Sequence, residues 1–210
     1  MTGVKICGVT RPADALLAIE LGASYLGLNF YPRSPRCVAL GQAREIAAAA
    51  AGKVPLVGVF VDRPPAEVEE VAAEVGLDLL QFSGDEGPAE VGPFAARAIK
   101  AFRTGGDPGP EALAPYSRAW ALLFDVRHGS LYGGTGVSWP YGSVAAICAA
   151  RRVFLAGGVN PGNVRRAMEE SGAHALDVCS SVESSPGIKD RELLERLFAE
   201  VRNGQGTPPS

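Results

Sequence analysis

Apolar residues in this chain come in short dense runs, separated by longer stretches in which they recur every three or four positions. The dense runs are Val4–Cys7, Tyr25–Phe30, Leu56–Val61, Leu79–Phe82, Ala98–Phe102, Ala119–Asp125, Val153–Ala156 and Ala175–Cys179. They carry β-branched and aromatic residues and are bounded by Gly, Pro or Ser, a pattern that predicts strands. The amphipathic stretches between them include Pro12–Leu21, Ala43–Ala51, Pro65–Val75, Pro88–Ala95, Asn163–Ser171 and Arg191–Val201. Several open on proline, whose missing N–H costs nothing in a first turn, and some close on glycine, as at Gly22, Gly76 and Gly172. Strands alternating with helices in this way predict an α/β fold, a single-domain (β/α)8 TIM barrel near its minimum length. The barrel is expected over residues 1–202, with 203–210 a disordered tail. A doubly wound open sheet shares the alternation. Two features favour the barrel: no Gly-x-Gly-x-x-Gly follows the first strand, and the polar, reactive positions follow several different strands.

Composition narrows the class without naming it. The chain has 210 residues, 47% of them hydrophobic, enough for one domain with a substantial core. A net charge of −3 gives no basic footprint for nucleic acid or an anionic membrane. No apolar run reaches the length of a membrane span, and Met1–Lys5 opens no signal peptide, so a cytoplasmic protein is expected. Cys7, Cys37, Cys148 and Cys179 show no CxxC spacing and are expected to be free thiols. The two histidines, His128 and His174, have no partners at metal-ligand spacing; His128 reads as a loop residue and His174 as ordinary surface. Neither a metal nor a dinucleotide motif is visible.

The candidate chemistry lies at strand ends. Residues two apart share a strand face, so Lys5 and Cys7 point together while Ile6 packs on the other side. Cys7 closes the first strand, and Asp125 closes an otherwise apolar run at the same relative height. A buried carboxylate there is costly unless it is paired or used. The ordinary alternatives are a small buried hydrophobe for Cys7 and a loop or helix cap for Asp125. Gly157 and Gly158 follow one late strand, and Ser180 and Ser181 follow the next. In many barrels the loops after the last two strands bind a phosphate through backbone N–H groups; tight turns alone would need the same residues. In the loop after the second strand, Arg36 can clamp a substrate carboxylate with its planar fork, and Arg33 is its equal on chemistry alone. Gly133-Gly-Thr-Gly136 reads as a turn or as a loop closing over a substrate.

Together these segments resemble the phosphoribosylanthranilate isomerase family. The resemblance runs from Val4 to about Asp190 and rests on Lys5-Ile-Cys-Gly-Val-Thr10, Phe30-Tyr-Pro-Arg-Ser-Pro-Arg36, Gly133-Gly-Thr-Gly136, Leu155-Ala-Gly-Gly-Val-Asn-Pro161 and Val182-Glu-Ser-Ser-Pro-Gly-Ile-Lys-Asp190. It implies a (β/α)8 barrel and a cofactor-free Amadori rearrangement of N-(5-phosphoribosyl)anthranilate. By resemblance, Cys7 is the general base at C2, Asp125 the general acid at the furanose ring oxygen, and Arg36 the holder of the anthranilate carboxylate. Gly157, Gly158, Ser180 and Ser181 would take the phosphate. The implied partner is a small phosphorylated aminosugar, with no nucleic acid or membrane, in a monomer or homodimer.

The chemistry places a demand on Cys7. An ordinary thiol with a pKa of about 8.5 is only roughly 3% ionised at pH 7, and poising it near neutrality takes a shift of about 1.5 units, or roughly 2 kcal/mol. Lys5 is the expected contributor. The chain departs from the family pattern in two readable places: Gln81-Phe-Ser-Gly84 has Ser83 where the family has histidine, and Asp177-Val-Cys-Ser-Ser-Val-Glu183 carries Cys179 and Ser181 in the phosphate loop, where Ser181 adopts a positive φ less freely than glycine. Rival readings are a histidine-pathway aminoaldose isomerase, which needs an aspartate where Cys7 stands, a Schiff-base aldolase on Lys100, and a non-catalytic phosphosugar- or anthranilate-binding barrel.

Overall fold

A computed structural model describes residues 1–103, 108–125 and 141–204. The dense apolar runs form strands β1 (Gly3–Cys7), β2 (Tyr25–Asn29), β3 (Leu56–Phe60), β4 (Leu79–Phe82), β5 (Ala98–Arg103), β6 (Ala121–Asp125), β7 (Val153–Ala156) and β8 (Ala175–Val178). Each pairs in parallel with the next, and β8 returns to β1 through Gly3↔Ala175 to Ile6↔Val178, so the sheet closes on itself. Closure leaves no sheet edge, and it settles the choice between barrel and open sheet.

The helices are α1 (Pro12–Leu21), α2 (Leu40–Ala50), α3 (Pro65–Val75), α4 (Pro88–Val91), α5 (Pro110–Leu113), α6 (Ala145–Ala150), α7 (Val164–Ser171) and α8 (Arg191–Gly204). Gly22, Gly76 and Gly172 cap α1, α3 and α7 where expected. The stretch expected as one helix over Pro88–Ala95 is a single α turn followed by a tighter 3-10 turn, Gly92–Arg97, around Pro93. α5 and α6 are too short for a periodic signal to reveal. A small antiparallel hairpin, β9 (Glu183–Ser185) and β10 (Ile188–Lys189), precedes α8, which extends to Gly204.

The two faces of the sheet do different work. Outward residues such as Ile6, Leu26, Leu80, Leu122, Leu155 and Leu176 meet the helices in the larger core. Inward residues form a smaller interior of Val57, Leu79, Ile99, Ala121, Leu123, Phe154 and Ala175. At the N-terminal ends of the strands this interior is closed by Tyr25, Trp120, Phe154 and His174, packed edge to face or tilted at centroid distances of 5.1–6.5 Å. The Tyr25 hydroxyl and His174 Nε2 are 2.9 Å apart, so His174 is a half-buried part of this plug rather than ordinary surface. Burial first, and then Arg152 and the N-terminus, lower its pKa. At the C-terminal ends the inward positions turn polar, and there the barrel opens.

Candidate active site

The open end holds a cavity of about 280 Å³, lined among others by Cys7, Arg36, Asp125, Gly157, Ser180 and Asp177. Strand alternation explains the membership. Cys7, Asn29, Val59, Gln81, Ala101, Arg103, Leu123, Asp125, Ala156 and Asp177 are inward positions toward the C-terminal ends of their strands, and every strand contributes at least one. The thiol and the carboxylate expected from the sequence therefore stand on the wall of one cavity.

Beneath Cys7 lies a buried ammonium. Lys5 is 0% exposed and donates to Cys7 Sγ (3.3 Å), Gln81 Oε1 (2.8 Å) and Asp177 Oδ1 (3.0 Å), which uses all three of its N–H bonds. Burial works against the Lys5 charge, but Asp177 and Cys7 outweigh it and raise its pKa. Burial pushes Asp177 up to about 7, with Lys5 opposing, and the Cys7 and Asp125 charges add to the rise. The Cys7 thiol is held well below its ordinary value. The neighbouring Cys179 thiol is the largest cause; burial opposes it, and Lys5 and Lys189 add their charges. Lys5 is thus one contributor, as expected, whereas Cys179 reads in the sequence only as a change to the phosphate loop. Gly27 makes room for the thiol, since a Cβ there would sit 2.9 Å from Cys7 Sγ.

Arg36 lines the cavity and Arg33 is exposed outside it, which separates two residues that chemistry alone left equal. The Arg36 guanidinium is already gripped: Nε lies 2.9 and 3.0 Å from the two Glu183 oxygens, and Nη2 lies 2.5 Å from Oε2. Its Nη1 has no protein partner among the described residues. Glu183 also takes the buried Lys189 ammonium at 2.8 Å. Lys189 in turn donates to the carbonyls of Cys7 (2.5 Å) and Cys179 (3.4 Å). Gln81, Asp177, Glu183 and Lys189 are the members of this network that pattern reading missed. The signal available for them was a charged or amide residue at an inward or strand-flanking position.

Gly157, Gly158, Ser180 and Ser181 line the same cavity. Gly157 and Gly158 have φ of 94° and 82°, a left-handed conformation that side chains rarely tolerate. Ser181 needs no such geometry: it lies in a 3-10 turn, Ser180–Val182, and its hydroxyl donates to Val159 O at 2.5 Å. Ser83 also lines the cavity and accepts a bond from Gln81 Nε2 at 3.0 Å. Lys100 does not line it. Ala101 and Ile99 face inward, so Lys100 faces out, where it donates to Glu86 (2.7 Å) and Gly84 O (2.8 Å). The Schiff-base reading fails on direction. Among the described residues no cluster of metal-ligating side chains occurs, and no helix is long and apolar enough to cross a membrane. The Gly133–Gly136 motif, the 126–132 segment with His128, and the tail from residue 205 lie outside the described residues.

Residues 4–200 match the family model described as N-(5'-phosphoribosyl)anthranilate (PRA) isomerase. The chain is 43% identical over 207 residues to the N-(5'-phosphoribosyl)anthranilate isomerase of Halorhodospira halophila, covering 98% of this chain and 99% of that one. Among solved structures, phosphoribosyl anthranilate isomerase from Thermotoga maritima is similar at a TM-score of 0.88 with 33% identity, covering 97% of this chain and 100% of the other. A phosphoribosyl anthranilate isomerase in complex with reduced 1-(o-carboxyphenylamino)-1-deoxyribulose 5-phosphate is similar at 0.85 and 32% identity, covering 97% of this chain and 100% of that one.

Proposed function

Because this chain belongs to the N-(5'-phosphoribosyl)anthranilate isomerase family, we propose that Cys7 is its general base and Asp125 its general acid. The protein is an isomerase of tryptophan biosynthesis, converting N-(5'-phosphoribosyl)anthranilate to 1-(2-carboxyphenylamino)-1-deoxyribulose 5-phosphate. The reaction is an internal oxidation and reduction: C2 is oxidised as C1 is reduced, so only protons need to be moved. Asp125 protonates the furanose ring oxygen, and the ring opens to a C1 imine. The Cys7 thiolate removes the C2 proton, and the resulting enolamine relaxes to the ketone. General acid and base groups of this kind each supply about 10²–10⁴-fold.

The observation that carries the assignment is the presence of a thiol, its pKa lowered beside Cys179 and Lys5, and a carboxylate on the wall of one cavity. Arg36, braced by Glu183, takes the anthranilate carboxylate through its Nη1 edge. The left-handed turn at Gly157 and Gly158, with the Ser180 hydroxyl and the Ser180 and Ser181 main chain, offers donors to the phosphate. The product analogue bound by the related enzyme carries both of these anionic groups, which supports a cavity with an anion site at each end. A cytoplasmic location and a monomeric or homodimeric state belong to the same reading; the four free cysteines suit a reducing compartment.

The test is anthranilate fluorescence during turnover, with the substrate generated in situ. The parent protein is expected to quench the substrate signal, and Cys7→Ala and Asp125→Asn are each expected to slow it at least about 10²-fold with unchanged circular dichroism. Full turnover in either folded variant removes that residue from its role.

A further inference from the structure

We propose that Cys7 and Cys179 form a reversible disulfide inside the cavity, a modification site that withdraws the base and shuts the enzyme under oxidising conditions. The loss of turnover rests on Cys7 being the base; the cross-link does not.

The pairing follows from the barrel seam. β1 and β8 run in register through Lys5↔Asp177 and Ile6↔Val178, and Cys7 and Cys179 are the residues that directly follow this last pair. Neighbouring strands lie about 4.8 Å apart, inside the roughly 4.4–6.8 Å between Cα atoms that a disulfide spans. Two further contacts hold the pair together. The Lys189 ammonium bonds both cysteine carbonyls, and a Cβ built on Gly8 would lie 3.1 Å from Cys179 Sγ, beside the Cys7 main chain. Both residues line the cavity, so a small oxidant that enters it comes beside both. Cys37 and Cys148 do not line it.

Hydrogen peroxide is the oxidant considered. The Cys7 thiolate attacks one peroxide oxygen, the O–O bond breaks, hydroxide leaves, and Cys7 becomes a sulfenic acid. The Cys179 sulfur then attacks Cys7 Sγ, its proton passes to the departing oxygen, and water is released as the S–S bond forms. Two thiol electron pairs have become one bond, and one peroxide has been reduced to water and hydroxide. The roles are asymmetric. Cys7 is the partner whose pKa is lowered, whereas that of Cys179 is raised chiefly by its hydrogen bond to Cys7, then by burial and the Cys7 charge. Oxidation of Cys7 to a neutral sulfenic acid removes that charge, and Lys189 and Arg36 then favour the Cys179 thiolate as the resolving nucleophile. A dithiol reductant reverses the bond by thiol exchange.

The test treats the full-length folded protein with hydrogen peroxide, blocks remaining thiols, and maps linkages by mass spectrometry beside an activity assay. The expected result is a Cys7–Cys179 peptide pair lighter by two hydrogens, turnover of the cross-linked fraction down at least about 10²-fold, and full recovery with dithiothreitol. In Cys179→Ser, peroxide should leave Cys7 as a sulfenic acid captured by dimedone, with no cross-link. In the parent, a dimedone adduct on Cys7 with Cys179 still free, or a link from Cys7 to Cys37, Cys148 or a second chain, overturns the disulfide and leaves the base assignment standing. A Cys7–Cys179 link in protein that keeps full turnover overturns the shut-off and the base assignment with it. The parent protein alone decides between these outcomes, whether or not Cys179→Ser folds.

Discussion

The two ends of the barrel solve opposite problems with the same strands. At the N-terminal end, Tyr25, Trp120, Phe154 and His174 fill the interior with rings, and their polar atoms serve packing. At the C-terminal end, the interior is given over to Lys5, Gln81, Asp177 and Cys7, a buried charged group whose every bond converges on one sulfur or its support. Hydrophobic burial makes the first end robust. The second holds charges that cost free energy to bury and are retained only with full pairing. Stability and chemistry are therefore separated along the barrel axis, a few residues apart on each strand.

This separation can be broken from either side. The largest effect on chemistry is expected from Cys7→Ala or Asp125→Asn: a loss of at least about 10²-fold in kcat/KM while the melting temperature holds, read by fluorescence and calorimetry. At the other end Phe154→Ala should cost about 3–5 kcal/mol of stability, seen as a lowered denaturant midpoint, while protein still folded turns over normally. A Phe154 variant that kept its stability and lost its kcat would erase the distinction.

A sharper probe is the pH dependence of kcat/KM. As the proposed base the thiol must be ionised, and its pKa in the folded protein is lowered, so the rising limb should fall at lower pH than that of an ordinary thiol. Lys5→Met removes a positive neighbour and should move that limb upward, with activity at its foot falling about tenfold per unit moved. An unmoved limb would leave Cys179 and Lys189 as the sole support of the thiolate. Glu183→Gln should loosen Arg36 and raise KM by about tenfold, the worth of one charge-assisted bond, with kcat little changed. The smallest effect is expected from Tyr25→Phe, about 1 kcal/mol of stability and no kinetic change.

Legibility in the sequence followed the same division. Dense apolar runs placed each of β1 to β8 within two residues of its observed ends, because these strands are short, apolar and bounded by turn formers. Cys7 and Asp125 could be picked out because each is a reactive or charged type where a strand ends, whereas Arg36 was separable from Arg33 only by the family resemblance. The positions of Gln81 and Lys189 were not readable, since their value depends on what closes against them: Lys5 meets Gln81 across 76 residues of sequence. Lys100 shows the converse. Its residue type invited a catalytic reading, and one position of strand phase sends it to Glu86 instead. Cys179 needed the β1–β8 seam, which exists only once the sheet closes.

The Lys189 ammonium has a further consequence, for biosynthesis on the ribosome. It reaches back 182 residues to the carbonyl of Cys7, and its hairpin also supplies the main-chain donor to Asp14 on α1. Contacts of such long sequence separation form late, after their loop-closure entropy has been met. A nascent chain can assemble successive strand–helix pairs as it emerges. It cannot anchor its first strand's reactive end until nearly its last helix is made. The clasp on the Cys7 carbonyl therefore forms only after Lys189 has been made, and a chain interrupted before that point carries its thiol without it.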